Sequence, residues 1–174
     1  MGLAIQVTHT AHFNTLEAIL QDDGNFVLRD GSDNSSKLLW QSFDNPTDTW
    51  LPGAKMEYNN KTKQNLHLIT RKNSEDPAPG LFALEVQRNT SSSIILWNKS
   101  VPYWNSGPWD GQIFSWIPEM RSNIFNFSYV QNENEIYFTY SIYNPSIISR
   151  FVMDISGQTQ QLTWLESTEM WNLI

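Results

Sequence analysis

The chain has 174 residues, of which 40% are hydrophobic and 13% aromatic, and its formal net charge is −7. This composition supports a folded core and differs from that of disordered chains. The acidic balance argues against nucleic acid as a partner, because phosphate binding requires clustered Lys and Arg. The absence of cysteine excludes thiol chemistry and disulfides. The sequence predicts neither a signal peptide nor a transmembrane segment in this chain.

Turn residues separate short β-type segments along most of the chain. Only the stretch from His12 to Leu20 has a pattern that predicts a short helix. The predicted strands are Phe26–Leu28, Leu38–Trp40, Leu66–Thr70, Leu81–Val86, Ile94–Trp97, Phe125–Val130, Glu135–Ile142, Arg150–Ile155 and Gln161–Leu165. Motifs such as DNPTD, EDPAPG and NSGPWDG lie between them, at spacings of about ten residues. This regular succession of short strands and turns predicts an all-β sandwich, barrel or prism.

In two stretches of the chain, the alternation of residue types predicts which side chains share a face. In EIYFTYSIY, every second residue from Ile136 to Ile142 lies on one face, and the other face carries bulky residues such as Tyr137. Because both faces carry bulk, this strand is expected between two layers. RFVMDISGQTQQLTWLE is expected to form a hairpin that turns at Ser156–Gln158, with Gly157 at positive φ. In that hairpin Phe151, Met153 and Ile155 are expected to face the same way as Leu162 and Trp164.

The stretch QDDGNFVLR has two interpretations. In a strand, alternate residues share a face, so Gln21, Asp23, Asn25 and Val27 line one side. Amides, a carboxylate and a methyl surface together suit a hexose, with Leu20, Phe26 and Leu28 facing the core. Alternatively, Asp22–Asn25 is a polar turn that requires no ligand, because its residue types are those of turns.

Several other residues are candidates for modification or binding. The five N-x-S/T sites are Asn34, Asn60, Asn89, Asn98 and Asn126. His9 and His12 have the H-x-x-H spacing of a metal pair, but no third ligand is suitably spaced, so a solvated pair is favoured and no metal is expected. Most of the tryptophans, including Trp40, Trp97, Trp104, Trp109 and Trp164, are expected in the core. Trp50 and Trp116 follow turns and are expected at the surface, where Trp109-Asp110-Gly111 and Trp116 are the candidates for a binding surface.

A family resemblance rests on these motifs. Gln21-x-Asp23-x-Asn25-x-Val27 resembles the mannose-binding signature Q-x-D-x-N-x-V-x-Y of bulb-type lectins, with Arg29 at the position of the tyrosine. LLWQSFDNPTDTWLPGAKM (Leu38–Met56) resembles the end of the lectin domain in plant S-domain receptor kinases and S-locus glycoproteins. YWNSGPWDGQIFSWIPEM (Tyr103–Met120) and the stretch Asn132–Trp164 continue the resemblance. Arg71 departs from it, since relatives commonly carry Trp there.

The resemblance implies a domain organisation. It implies an all-β chain, in which a partial bulb-type lectin β-prism is followed by a second lectin-like β domain, the S-locus glycoprotein domain. The complete lectin prism has three four-stranded sheets. Residues 1–19 remain unassigned, 20–57 correspond to the C-terminal part of the lectin domain, and 66–174 correspond to the S-locus glycoprotein domain. The polar stretch Tyr58–Asn65 is the expected boundary.

The resemblance also implies a function. It points to an extracellular or plasma-membrane recognition module without catalysis, because the kinase motifs of the receptors are missing from this chain. The expected partner is a mannose-type glycan bound by Gln21, Asp23, Asn25 and Val27, or a protein or peptide ligand. Homo- or heterodimers of such ectodomains are also expected. No cofactor is expected. The processes implied are recognition of pollen in self-incompatibility, or immune signalling.

Overall fold

The computed structural model describes residues 15–31 and 38–174. The chain divides into two compact units, Met1–Asn45 and Pro46–Ile174. Apart from two short 3₁₀ helices, Ser42–Asp44 and Pro118–Met120, the regular structure of the described residues consists of antiparallel strands. The all-β prediction is therefore confirmed. Within the described ranges, no helix is long and apolar enough to cross a membrane.

The strands that the structure describes are numbered in chain order. They are β1 (Leu16–Leu20), β2 (Phe26–Asp30), β3 (Leu38–Gln41), β4 (Thr49–Trp50), β5 (Met56–Asn59), β6 (Asn65–Leu66), β7 (Leu68–Arg71), β8 (Pro79–Val86), β9 (Ser93–Trp97), β10 (Val101–Asn105), β11 (Phe125–Gln131), β12 (Glu135–Ile142), β13 (Ser149–Met153), β14 (Thr159–Leu165) and β15 (Met170–Leu173).

The first unit contains one described sheet, in the order β1-β2-β3. β1 is the region for which the sequence predicted a helix from His12 to Leu20. That prediction is wrong for Leu16–Leu20, which pairs with β2 from Leu16 opposite Asp30 to Leu20 opposite Phe26. The cross-strand partner overrides a weak local helical pattern. Residues 12–14 lie outside the described ranges.

The second unit contains three four-stranded antiparallel sheets. Their strand orders are β10-β9-β8-β7, β11-β12-β5-β6 and β15-β14-β13-β4. Three sheets of four strands are what the resemblance implies for a bulb-type lectin prism. The stretch Tyr58–Asn65, expected as a domain boundary, forms the β5–β6 hairpin inside this unit, where Asn59 N donates to Gln64 O. The residue ranges 20–57 and 66–174 stay predictions.

An aromatic core joins the sheets that contain β4 and β12. Trp50 is only 4% exposed, so the expectation that it lies at the surface is wrong. Its ring centroid lies 4.5 Å from Tyr140 and 5.0 Å from Phe138. The indole Nε1 donates to Ala54 O at 2.9 Å, and the Tyr140 hydroxyl donates to Trp50 O at 3.0 Å. A short strand is thus fixed by one large side chain with its polar atoms paired.

The alternation predicted for β12 is confirmed. Ile136, Phe138 and Tyr140 are buried, whereas Tyr137 and Thr139 on the other face are half-buried. Within its sheet the strand pairs with β11 on one side and β5 on the other, so it is a central strand. Burial raises the pKa of the Tyr140 phenol well above its usual range.

The β13–β14 hairpin forms, but its predicted facing is wrong. Phe151 lies opposite Gln161, and Leu162 lies opposite Arg150, so Phe151 and Leu162 are on different faces. The turn spans Asp154–Gln158 and is longer than expected, with Asp154 N donating to Gln158 O. A shift of one residue reverses the face of every side chain that follows. Gly157 has φ of +86°, as predicted.

Candidate functional site

The segment that resembles the mannose signature begins with a turn between β1 and β2. Gly24 N donates to Gln21 O and Gln21 N donates to Asn25 O, both at 2.9 Å. Asp23 Oδ1 accepts from Asn25 N, and Gly24 has φ of +86°. These contacts are those of a polar turn in which the aspartate side chain stabilises the backbone.

The predicted alternation over residues 20–28 is wrong. Gln21 and Asp23 are exposed, but Asn25 is 5% exposed and Val27 is 2% exposed. Leu20 and Phe26, expected to face inward, are exposed instead. The strand begins only at Phe26, so period-two geometry does not apply to the turn before it.

The Asn25 side chain is engaged by the last residue of β3 and by the two residues that follow it. Its Nδ2 donates to Gln41 Oε1 at 2.8 Å, and its Oδ1 accepts from Ser42 Oγ at 3.1 Å and from Phe43 N at 3.2 Å. The same Gln41 donates to Asp44 Oδ2 at 2.9 Å. Such buried amides hold a turn against a neighbouring segment. Of the four signature residues, Gln21 and Asp23 are therefore accessible to a ligand, whereas Asn25 and Val27 are buried.

Arg29 stands where the signature has tyrosine. Its guanidinium forms an ion pair with Glu17 on β1, with both Nε and Nη2 at 2.8 Å from Oε2. Glu17 and Arg29 are direct cross-strand partners. Both side chains are well exposed, so the pair contributes little to stability, roughly 0–1 kcal/mol.

The described N-x-S/T sites differ in accessibility. Asn89, Asn98 and Asn126 are exposed. Asn60 is half-buried, and its Nδ2 donates to the backbone oxygens of Asn132 and Glu133 at 3.3 and 3.2 Å. Asn34 lies outside the described residues. Glycosylation at all five sites stays a prediction.

The Trp109-Asp110-Gly111 segment divides between core and surface. The Trp109 ring is half-buried and lies 5.3 Å from Phe114 and 6.2 Å from Tyr129. Burial raises the pKa of Tyr129 to about 12. Asp110 is exposed, and hydrogen bonds from the backbone of Ile113 and Gln112 lower the pKa of its carboxyl.

The tryptophans at the surface are not the ones that the sequence indicated, with one exception. Trp116 is 67% exposed, as expected for a residue after a turn. Trp97 and Trp104 were expected in the core, but both are exposed on β9 and β10. β10 was not predicted, because Pro102 interrupts a short aromatic segment. Adjacent Tyr103 and Trp104 were the available signal for an aromatic surface there.

Arg71 has a structural contact that the sequence did not suggest. Its Nε lies 2.6 Å from Oδ2 of Asp48, a buried carboxylate. The hydroxyls of Thr47 and Thr49 donate to Asp48 Oδ1, and Met153 N donates to Asp48 O. An arginine at this position therefore balances a buried charge beside β4.

No group of three or more His, Asp or Glu side chains within residues 15–31 and 38–174 is arranged to hold a metal ion. The His9 and His12 pair lies outside those ranges.

Comparison with known proteins gives two family matches and several relatives. The model for the D-mannose binding lectin family matches residues 4–72, and the model for the S-locus glycoprotein domain matches residues 104–174. A G-type lectin S-receptor-like serine/threonine-protein kinase of Arabidopsis thaliana is 54% identical over 94% of this chain and 20% of its own length. S-locus-specific glycoprotein S6 of Brassica oleracea is 40% identical over 89% of this chain and 36% of its own length. The receptor-like kinase SD1-8 of Arabidopsis thaliana is 38% identical, over 90% of this chain and 19% of its own length.

Proposed function

Because this chain belongs to the family of plant G-type lectin S-domain receptor kinases and S-locus glycoproteins, we propose that it is a non-catalytic part of a recognition ectodomain and that its ligand is a protein or peptide. The chain spans between about a fifth and about a third of the length of the three relatives described. Placement outside the cell or at the plasma membrane, and a role in pollen recognition or immune signalling, belong to this proposal.

The burial of Asn25 and Val27 carries the choice of a protein ligand over a hexose. A sugar needs hydrogen-bonding groups that are free to converge on its hydroxyls. Asn25 already binds Gln41, Ser42 and Phe43, and Arg29 binds Glu17. Binding of a mannose-type glycan by Gln21, Asp23, Asn25 and Val27 is the alternative proposal. It requires Gln41, Ser42 and Phe43 to release the Asn25 side chain.

Exposed aromatic side chains on the second unit support the protein ligand. Trp116 extends into solvent while its backbone N donates to Ser106 O at 3.1 Å, so a rigid backbone presents it. Tryptophan and tyrosine are enriched in protein interfaces, where they provide large contact areas at little entropic cost. A homo- or heterodimer of such ectodomains is one form that this recognition can take.

The sugar proposal is tested by titrating methyl α-D-mannopyranoside to millimolar concentration, with saturation-transfer NMR as the measurement. We expect no saturable signal from the chain. A saturable signal that disappears in Gln21→Ala and persists in the matched turn variant Asp22→Ala would overturn the protein-ligand proposal in favour of the glycan.

The protein-ligand proposal has its own positive test. Peptides selected from a random display library against the chain are expected to lose about tenfold or more in affinity on Trp116→Ala, the size of effect that an interface anchor gives. Tyr143→Ala removes another exposed aromatic side chain and should leave peptide affinity unchanged. Equal losses in both variants would contradict the assignment of Trp116.

A further inference from the structure

The second unit contains a cavity of about 740 Å³ between its three sheets, and part of its lining is open to solvent. That volume lies within the range of small-molecule sites, roughly 300–1,000 Å³. Its inner part is aromatic. The rings that line it are Trp50, Phe114, Phe125, Phe127, Phe138 and Phe151. A cavity with such walls favours a compact apolar body, because ring faces and edges provide dispersion contacts from several directions.

The outer part of the cavity is amphipathic. Tyr103 and Trp104 on β10 line it and remain exposed. Gln158–Gln161 at the start of β14 add amide and hydroxyl groups to the lining. Glu119 provides the one charged side chain among the lining residues, and no Lys, Arg or His lines the cavity within the described ranges. This charge disfavours an anionic ligand.

One buried hydroxyl beside the cavity lacks a partner. Ser93 is 3% exposed and lines the cavity, and its Oγ has no hydrogen-bond partner among the described residues. Its backbone N donates to Ser106 Oγ at 2.8 Å, and Ser106 in turn donates to Gly107 O. An unpaired buried hydroxyl is destabilising. Because the Ser93 Oγ has almost no accessible surface, a ligand in the cavity does not reach it, and the Ser93 hydroxyl belongs to the core beneath the lining.

We propose that this cavity is a binding site for a compact aromatic compound that is uncharged or cationic. The aromatic rings hold the apolar body, and Glu119 excludes carboxylates and sulfonates. Its lining includes neither Trp116 nor any residue of the Gln21–Val27 segment. The site therefore does not depend on the ligand proposed above.

The matched probes are N-phenyl-1-naphthylamine, which is neutral and has one N–H donor, and its sulfonated analogue 1-anilinonaphthalene-8-sulfonate. Both are titrated into the 174-residue chain and followed by dye fluorescence. We expect saturable one-to-one binding of the neutral dye and about tenfold weaker binding of the sulfonate, because the sulfonate must lose its hydration near Glu119. Absence of saturable binding of the neutral dye would overturn the proposal.

Two variants assign the binding to the cavity. Leu84→Trp places a large ring in the cavity and should abolish binding of the neutral dye, whereas Leu165→Trp at an exposed position outside the lining should not. Glu119→Gln should strengthen sulfonate binding several-fold and leave the neutral dye unchanged, with the exposed Glu166→Gln as its control.

These variants also separate the cavity from adventitious surface binding. Unchanged dye affinity in a folded Leu84→Trp would contradict the site, as would equal sulfonate affinity before and after Glu119→Gln. If Leu84→Trp does not fold, Glu119→Gln decides the question. Glu119 is exposed, so this change does not threaten folding.

Discussion

Asn25 illustrates how a residue that matches a binding signature can be used by the fold. Its backbone N donates to Asp23, and its side chain makes three further hydrogen bonds to Gln41, Ser42 and Phe43. Substitution by alanine would leave these three partners without Asn25 in a partly buried setting. Each unsatisfied buried group costs more than a normal hydrogen bond contributes.

We predict that Asn25→Ala lowers the local stability of the β1–β3 sheet by about 1–3 kcal/mol. The measurement is hydrogen exchange of the amides of β2, which should lose protection, while those of β12 in the other unit keep theirs. Asp22→Ala, at an exposed position in the same turn, is the matched control and should change protection by less than about 0.5 kcal/mol. Equal effects of the two substitutions would show that the Asn25 amide has no structural role.

At the candidate site, the sequence predicted the residues involved but not their conformation. The pattern QDDGN identified both a strand face and a turn, and the sequence alone did not decide between them. Asp23 accepting from Asn25 N and Gly24 at positive φ decide for the turn. The burial of Asn25 depends on Ser42 and Phe43, which are distant in sequence. No periodicity within the motif reports such a contact.

At the scale of elements, strands with strong alternation were predictable and their registers were not. β12 was predicted with its bounds, because Ile136, Phe138 and Tyr140 repeat every second position. The two-residue strand β4 was missed, since one buried tryptophan carries no period. The β13–β14 register depended on the length of the Asp154–Gln158 turn, in which Asp154 Oδ1 accepts from the Ser156 hydroxyl and from Gln158 N.

Gly157 in that turn gives a prediction about the β13–β14 hairpin. A Cβ added there would lie 2.6 Å from Cγ of Phe82, and the substituted residue would keep the backbone φ of +86°. Gly157→Ala should therefore combine backbone strain of about 1–2 kcal/mol with an overpacking cost of about 1–3 kcal/mol. Urea denaturation followed by tryptophan fluorescence measures the loss in the free energy of unfolding.

Gly111 provides the matched control that separates backbone strain from the steric cost at Gly157. It also has positive φ, at +105°, but an added Cβ would meet nothing within 4 Å. Gly111→Ala should thus show the backbone strain alone, about 1–2 kcal/mol. If both substitutions cost the same, Phe82 moves without cost and does not fix the turn.

At the scale of the whole molecule, the two units differ in the size of their described cores. In the first unit, the buried apolar side chains within the described residues are Val27 and Leu28. The second unit buries a larger apolar set, which includes Trp50, Met56, Leu68, Phe114 and Phe138. Since burial of apolar area is the dominant favourable contribution to folding, the second unit should be the more stable of the two.

Limited proteolysis of the full chain tests this order of stability. Proteases cleave segments that open locally, and opening requires less free energy where fewer apolar contacts are lost. We expect cleavage to begin before Asn45 and to leave a resistant fragment that starts close to Pro46, identified by mass spectrometry. A time course in which residues 15–45 resist cleavage for as long as the three-sheet unit would contradict this order, because it would mean that the small described core is not what limits the stability of the first unit.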